Sequence, residues 1–187
     1  DPDSPGNGFY SRQEFIDLIR FAHSHHIRVI PAIDIPGHAR AAIVSMNKRY
    51  RRYMEMGDQA AAEEYLLSDP ADDSVYESVQ MWRDNVVNIG LPSVYRFVSK
   101  ITEEIVSMFH EAGVPFDTMH IGGDEVPPGV WEQSPAVQKY LEAHPDISGI
   151  DGLSRHFIKK VSEILRSHGL QTAGWEEVVI HGGTIHG

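Results

Sequence analysis

Three times along this chain a short apolar run gives way to a turn that carries acidic or histidine side chains. Ile27–Asp34 leads into Pro36-Gly37-His38, Phe116–Ile121 into Gly122-Gly123-Asp124-Glu125, and Leu170–Trp175 into Glu176-Glu177. Runs this short, rich in β-branched residues and closed by Gly or Pro, read as buried strands. The stretches between them are long enough for right-handed helical crossovers, which predicts a parallel α/β sheet. In such sheets the carboxyl ends of the strands share one face, and all three polar turns fall at carboxyl ends. A closed (β/α)8 barrel and an open doubly wound sheet share that placement. The repeat therefore predicts where a site lies without choosing between the two.

The connecting helices are marked as well. Ser11-Arg12-Gln13-Glu14 fits a capping box, and Phe15, Leu18, Ile19 and Ala22 follow at helical spacing, which predicts a helix from about Ser11 to His25. Pro92 stands where a helix can begin and Gly113 where one can end, with an apolar stripe from Val94 through Val98 and Ile105 to Phe109 between them. A further stripe of Phe157, Val161, Ile164 and Leu165 stops at Gly169. Residues from about 47 to 90 far exceed the usual connection of a few residues. They combine a charged helical piece at 48–67 with the polar Ser68–Asp73 and read as an insertion within one catalytic domain spanning 1–187. Such an excursion fits either a wall of a binding site or a tolerated surface elaboration.

Composition narrows the function. A chain of 187 residues with 41% hydrophobic content can bury a substantial core as one domain. With 16 basic against 27 acidic residues it has no basic cluster dense enough for phosphate, which excludes nucleic acid as a partner. The absence of cysteine excludes disulfides and thiolate metal sites. No apolar run approaches the roughly 20 residues of a membrane span. The N-terminal DPDSPGNGFY lacks a signal-peptide pattern, so the expectation is a mature segment or a targeting sequence outside this chain.

Each polar turn has a chemical and a plain reading. In His120-Ile-Gly-Gly-Asp-Glu125, glycines let backbone approach a ligand, and the adjacent carboxylates repel unless one is protonated or hydrogen-bonded. That separation of pKa values is what acid/base catalysis requires. The same residues also fit a helix N-terminus with acids near its dipole. Asp34 and His38, spaced by four, fit a catalytic pair or a hydrogen-bonded structural histidine. Gly174-Trp175-Glu176-Glu177 fits a sugar-stacking platform or an aromatic core residue.

Together the sequences IPAIDIPGHARAA, MHIGGDEVPPGVW and AGWEEV resemble glycoside hydrolase family 20, the β-N-acetylhexosaminidases, and in particular the bacterial chitobiase-type members. The resemblance runs in order through almost the whole chain. It implies an interior portion of a (β/α)8 TIM barrel, an incomplete barrel, since a full one has eight strands over about 250 residues. It implies removal of terminal non-reducing N-acetylglucosamine, with N-acetylgalactosamine left open as a second substrate, from β-linked oligosaccharides or glycoconjugates, with no cofactor and no metal. The mechanism implied is substrate-assisted and retaining, in which the 2-acetamido oxygen is the nucleophile, an exception to the two-carboxylate scheme.

Carried onto this chain, the resemblance makes Glu125 the general acid/base and Asp124 the partner of the acetamido N–H. It gives His38 a hydrogen bond to the acid/base, places Asp34 in the same polar network, and makes Trp175 one wall of the acetamido pocket. His120 and Glu176 take supporting roles. Secreted, periplasmic or cell-surface localisation is likewise implied by resemblance. An isolated barrel slice is expected to self-associate through its open sheet edges. Two alternatives stand beside this reading: a metal-dependent hydrolase using His38, Asp34, His120 and Asp124 as ligands, and a non-catalytic fragment of the hexosaminidase.

Overall fold

The computed structural model describes residues 8–178 and the backbone of 180–181 and 184–185. The capping box closes as expected, with Ser11 Oγ accepting from Glu14 N–H and the Glu14 carboxylate accepting from Ser11 N–H at 2.7 Å. The helix it starts, α1 (Arg12–Ser24), buries Ile16, Ile19 and Ala22. Its apolar face is thus turned from the expected one: Leu18 is partly exposed, while Phe15 meets Phe109 edge-on. Helix α2 (Arg40–Glu55) and the short α3 (Gln59–Glu63) divide the expected charged piece, and residue 47 lies inside α2. The segment after them is no loose appendage, because Leu67, Val87 and Ile89 are fully buried in the main core beside Trp131.

Helix α4 (Pro92–Ala112) begins at its proline and ends where Gly113 turns left-handed, φ 69°. It leads into strand β1 (Thr118–His120). Helix α5 (Pro135–Ala143), capped by the Ser134 side chain accepting from Val137 N–H, was not anticipated. Helix α6 (Gly149–Ser167) buries Leu153, Phe157, Val161 and Leu165, one stripe at four-residue spacing. It packs on α4 and on strand β2 (Gln171–Ala173). A 3-10 turn at Glu176–Val178 follows, and strands β3 (Ile180–His181) and β4 (Thr184–Ile185) pair antiparallel.

Strands β1 and β2 are parallel, with Met119 opposite Thr172. The ladder continues past both ends: Gln171 N–H donates to Asp117 O, Ile121 N–H to Ala173 O, and Trp175 N–H to Gly122 O. On the other edge of β1, His120 N–H donates to Pro31 O, Ile33 N–H to His120 O and Ile35 N–H to Ile121 O. Residues 31–35 therefore form a third parallel stave, reduced to a single bridge at Ala32. The expected strand over Ile27–Asp34 is shorter because Pro31 has no N–H to give a ladder, and Ile27 and Ile30 lie largely exposed outside it. All three staves release their chains on the same face, which sets the site. No helix of the described residues is long and apolar enough to cross a membrane.

Candidate active site

Where β1 ends, two glycines let the chain turn where a side chain would not fit. Gly122 and Gly123 have φ of 70° and 92°. A Cβ on Gly122 would sit 1.6 Å from Asp34 Oδ1, and one on Gly123 would sit 2.2 Å from Val178 Cγ2. This close passage brings the first stave's Asp34 against the turn that presents Asp124 and Glu125. Two side-chain-bearing residues here also adopt the left-handed region: His38 with φ 52° and Glu125 with φ 50°. Such positions cost free energy and gather at functional sites.

Three of these side chains converge on one another. His38 Nε2 stands 3.6 Å from Asp124 Oδ2 and 3.5 Å from Glu125 Oε2. Glu125 is the outer carboxylate, with 38% of its side chain exposed against 20% for Asp124. Burial, and after it the facing Asp124 carboxylate, push the pKa of Asp34 above its ordinary value, while His38 pulls the other way. Asp34 Oδ1 and Asp124 Oδ1 are both buried with no donor among the described residues. Asp124 faces Asp34, and His38 stands between the Asp124 and Glu125 carboxylates.

His120 and Trp175 form an adjoining pair. His120 Nδ1 accepts from Gly122 N–H at 3.1 Å, and the ring meets Trp175 edge-on at 4.9 Å. Trp175 is half exposed. Of the four ligands the metal reading needs, three come together, with atoms of Asp34, His38 and Asp124 within 4.8 Å of one another. His120 instead commits Nδ1 to the backbone. Glu176 is exposed on the 3-10 turn, whereas its neighbour Glu177 lines a cavity of about 590 Å³ with Glu125, Trp131, Arg155 and Ile158. Gln80 donates to Glu125 Oε2 at 2.6 Å. Gln80, Arg155 and Glu177 escaped the sequence reading, because no local motif marks them.

The model of the glycosyl hydrolase family 20 catalytic domain matches residues 1–186. The chain belongs to glycosyl hydrolase family 20. Beta-hexosaminidase B of Pseudoalteromonas piscicida is 38% identical over 95% of this chain, and N,N'-diacetylchitobiase of Vibrio harveyi is 44% identical over 66% of it. The exo β-N-acetylglucosaminidase of Vibrio harveyi, solved in complex with N-acetylglucosamine, superposes with a TM-score of 0.75 at 36% identity over 95% of this chain. The chain spans 22% of the length of the first of these relatives, 14% of the second and 24% of the solved structure. Its three parallel staves and flanking helices are accordingly a partial family 20 (β/α)8 barrel.

Proposed function

We propose that the full-length protein carrying this chain hydrolyses terminal non-reducing β-linked N-acetylglucosamine by substrate-assisted retaining catalysis. The observation that carries the proposal is the Asp124–Glu125 pair spanned by His38 at the carboxyl end of β1, in a chain of this family. The acetamido oxygen attacks the anomeric carbon, the glycosidic bond breaks, and the Glu125 proton passes to the leaving oxygen. Asp124 accepts the acetamido N–H, aligns the attacking oxygen and offsets the positive charge on the oxazolinium ring. Water then adds to the anomeric carbon while Glu125 takes its proton, and the ring reopens to the acetamide with retained configuration.

The geometry supports this division of labour. Asp124 is the more enclosed carboxylate, suited to a bound polar group. Glu125 is the outer one, suited to meeting a leaving group and then water. Action outside the cytosol belongs to the same proposal. The test is release of chromophore from aryl N-acetyl-β-glucosaminide and N-acetyl-β-galactosaminide by the full-length protein, with product configuration followed by NMR. Turnover of the first with retention is the expected result, and inversion contradicts the mechanism.

A further inference from the structure

Glu125 is touched from outside the acidic cluster by Gln80, whose Nε2 donates to Glu125 Oε2 at 2.6 Å. Gln80 sits at the tip of a built turn. Buried Ser78 donates its N–H to Trp82 O and accepts Met81 N–H at its carbonyl, both at 2.8 Å, while its Oγ accepts Trp82 N–H at 3.1 Å. Met81 closes the turn with φ 62°. One face of the Trp82 ring is covered by the Arg40 guanidinium, 4.0 Å from the centroid, and Arg40 in turn bonds Asp84 at 2.7 Å. Ala39 N–H donates to Asn85 O and Val87 N–H to Pro36 O, both at 2.9 Å. The loop that presents Gln80 is therefore fastened to the turn that presents His38.

The position of this tip suits a leaving group. Glu125 is the outer carboxylate of the pair, and Gln80 meets it in an exposed contact. A leaving sugar protonated by Glu125 lies beside that residue and so beside the Gln80 amide in contact with it, with Trp82 two residues further along the same turn. Trp82 is 46% exposed although Arg40 covers one face, which leaves ring surface for a sugar to stack on. The Gln80 amide offers a donor and an acceptor, the chemistry that sugar hydroxyls match.

We propose that Gln80 is a positioning residue for Glu125 and that the Ser78–Trp82 turn forms the leaving-group subsite, favouring a sugar over a flat aryl leaving group. This rests on the N-acetylhexosaminidase activity proposed above. Without substrate the amide holds Glu125 Oε2 in place. With a disaccharide bound, hydroxyls of the leaving sugar take over the amide, and the protonated Glu125 turns to the glycosidic oxygen.

The test compares the full-length wild type, Gln80→Ala and Trp82→Ala on N,N'-diacetylchitobiose and on 4-nitrophenyl N-acetyl-β-glucosaminide. Both substitutions should lower kcat/KM for the disaccharide by up to about tenfold, the upper end of what one neutral hydrogen bond or one aromatic stack contributes. The aryl substrate should change far less. Gln80 is an exposed tip residue, so a thermal melt of Gln80→Ala should match the wild type. Equal losses on both substrates, or no loss on either, overturn the subsite. A wild type that cleaves neither substrate rejects the proposed activity itself, and the inference falls with it.

Discussion

His38 and Glu125, carried by turns after different staves, meet at 3.5 Å with backbones of the same left-handed conformation, φ 52° and 50°. A side-chain-bearing residue in this region costs roughly 1–3 kcal/mol. Two such residues in contact mean that the surrounding fold imposes the conformation on both. The ladder beneath them does so: Ile35 N–H and Trp175 N–H are bonded to the Ile121 and Gly122 carbonyls, so the turns above cannot move apart independently.

Replacing Glu125 with Gln keeps the shape of the side chain and removes its exchangeable proton. Turnover of unactivated disaccharides by the full-length protein should fall by at least about a hundredfold, the lower end of what general acid/base catalysis contributes. An aryl glycoside, whose leaving group needs little protonation, should lose less in its first step. Steady-state kinetics on the two substrates check this, and near-wild-type disaccharide turnover removes Glu125 from the role.

Asp34 gives stability an uncommon pH dependence. Burial and the facing Asp124 raise its pKa above the ordinary 3.8, so the folded state holds this proton more tightly than the unfolded chain does. The associated stability is fully present below 3.8 and is lost as pH rises through the raised folded value, the reverse of a salt-bridged carboxylate. Asp34→Asn removes that loss. Chemical denaturation across pH should show the variant gaining on the wild type toward neutrality and converging with it in acid. A difference independent of pH contradicts this origin.

Gly122→Ala tests the close passage between the first stave and the β1 turn. The new methyl would overlap Asp34 Oδ1, at 1.6 Å, on a backbone whose φ is 70°. The φ alone costs about 1–3 kcal/mol, and relief of the overlap must displace Asp34. Urea unfolding should report the loss of stability, and kinetics should report a matching loss of turnover as the Asp34–Asp124 contact opens. Unchanged stability would show that the turn has room to spare.

Legibility varied with how local each cause was. The burial of Val94, Val98 and Phe109 on α4, and of Phe157, Val161 and Leu165 on α6, follows from stripes and glycine stops within one segment. That the Gly122-Gly123 turn admits a close approach was readable, since glycines at a strand end invite it, but that the approach is made by Asp34 was not, because it comes from a different stave. The left-handed backbones of His38 and Glu125 were not, because neither residue type asks for positive φ. Helix α5 was missed although Ser134-Pro135 is an ordinary start signal. Gln80 was beyond reach: it lies 45 residues from Glu125, and only the folded turn at Ser78–Trp82 puts the two together.

The central claim is that the substrate supplies the nucleophile while Asp124 and Glu125 only orient it and move protons. Its most direct test compares, with the full-length protein, aryl β-glycosides bearing either the 2-acetamido group or a 2-hydroxyl in its place. Hydrolysis of the first and its abolition in the second is the predicted result, with a thiazoline mimic of the cyclic intermediate binding tightly and Asp124→Asn weakening that binding. Comparable rates on the two substrates, or a glycosyl ester trapped on a carboxylate of the protein, would contradict it.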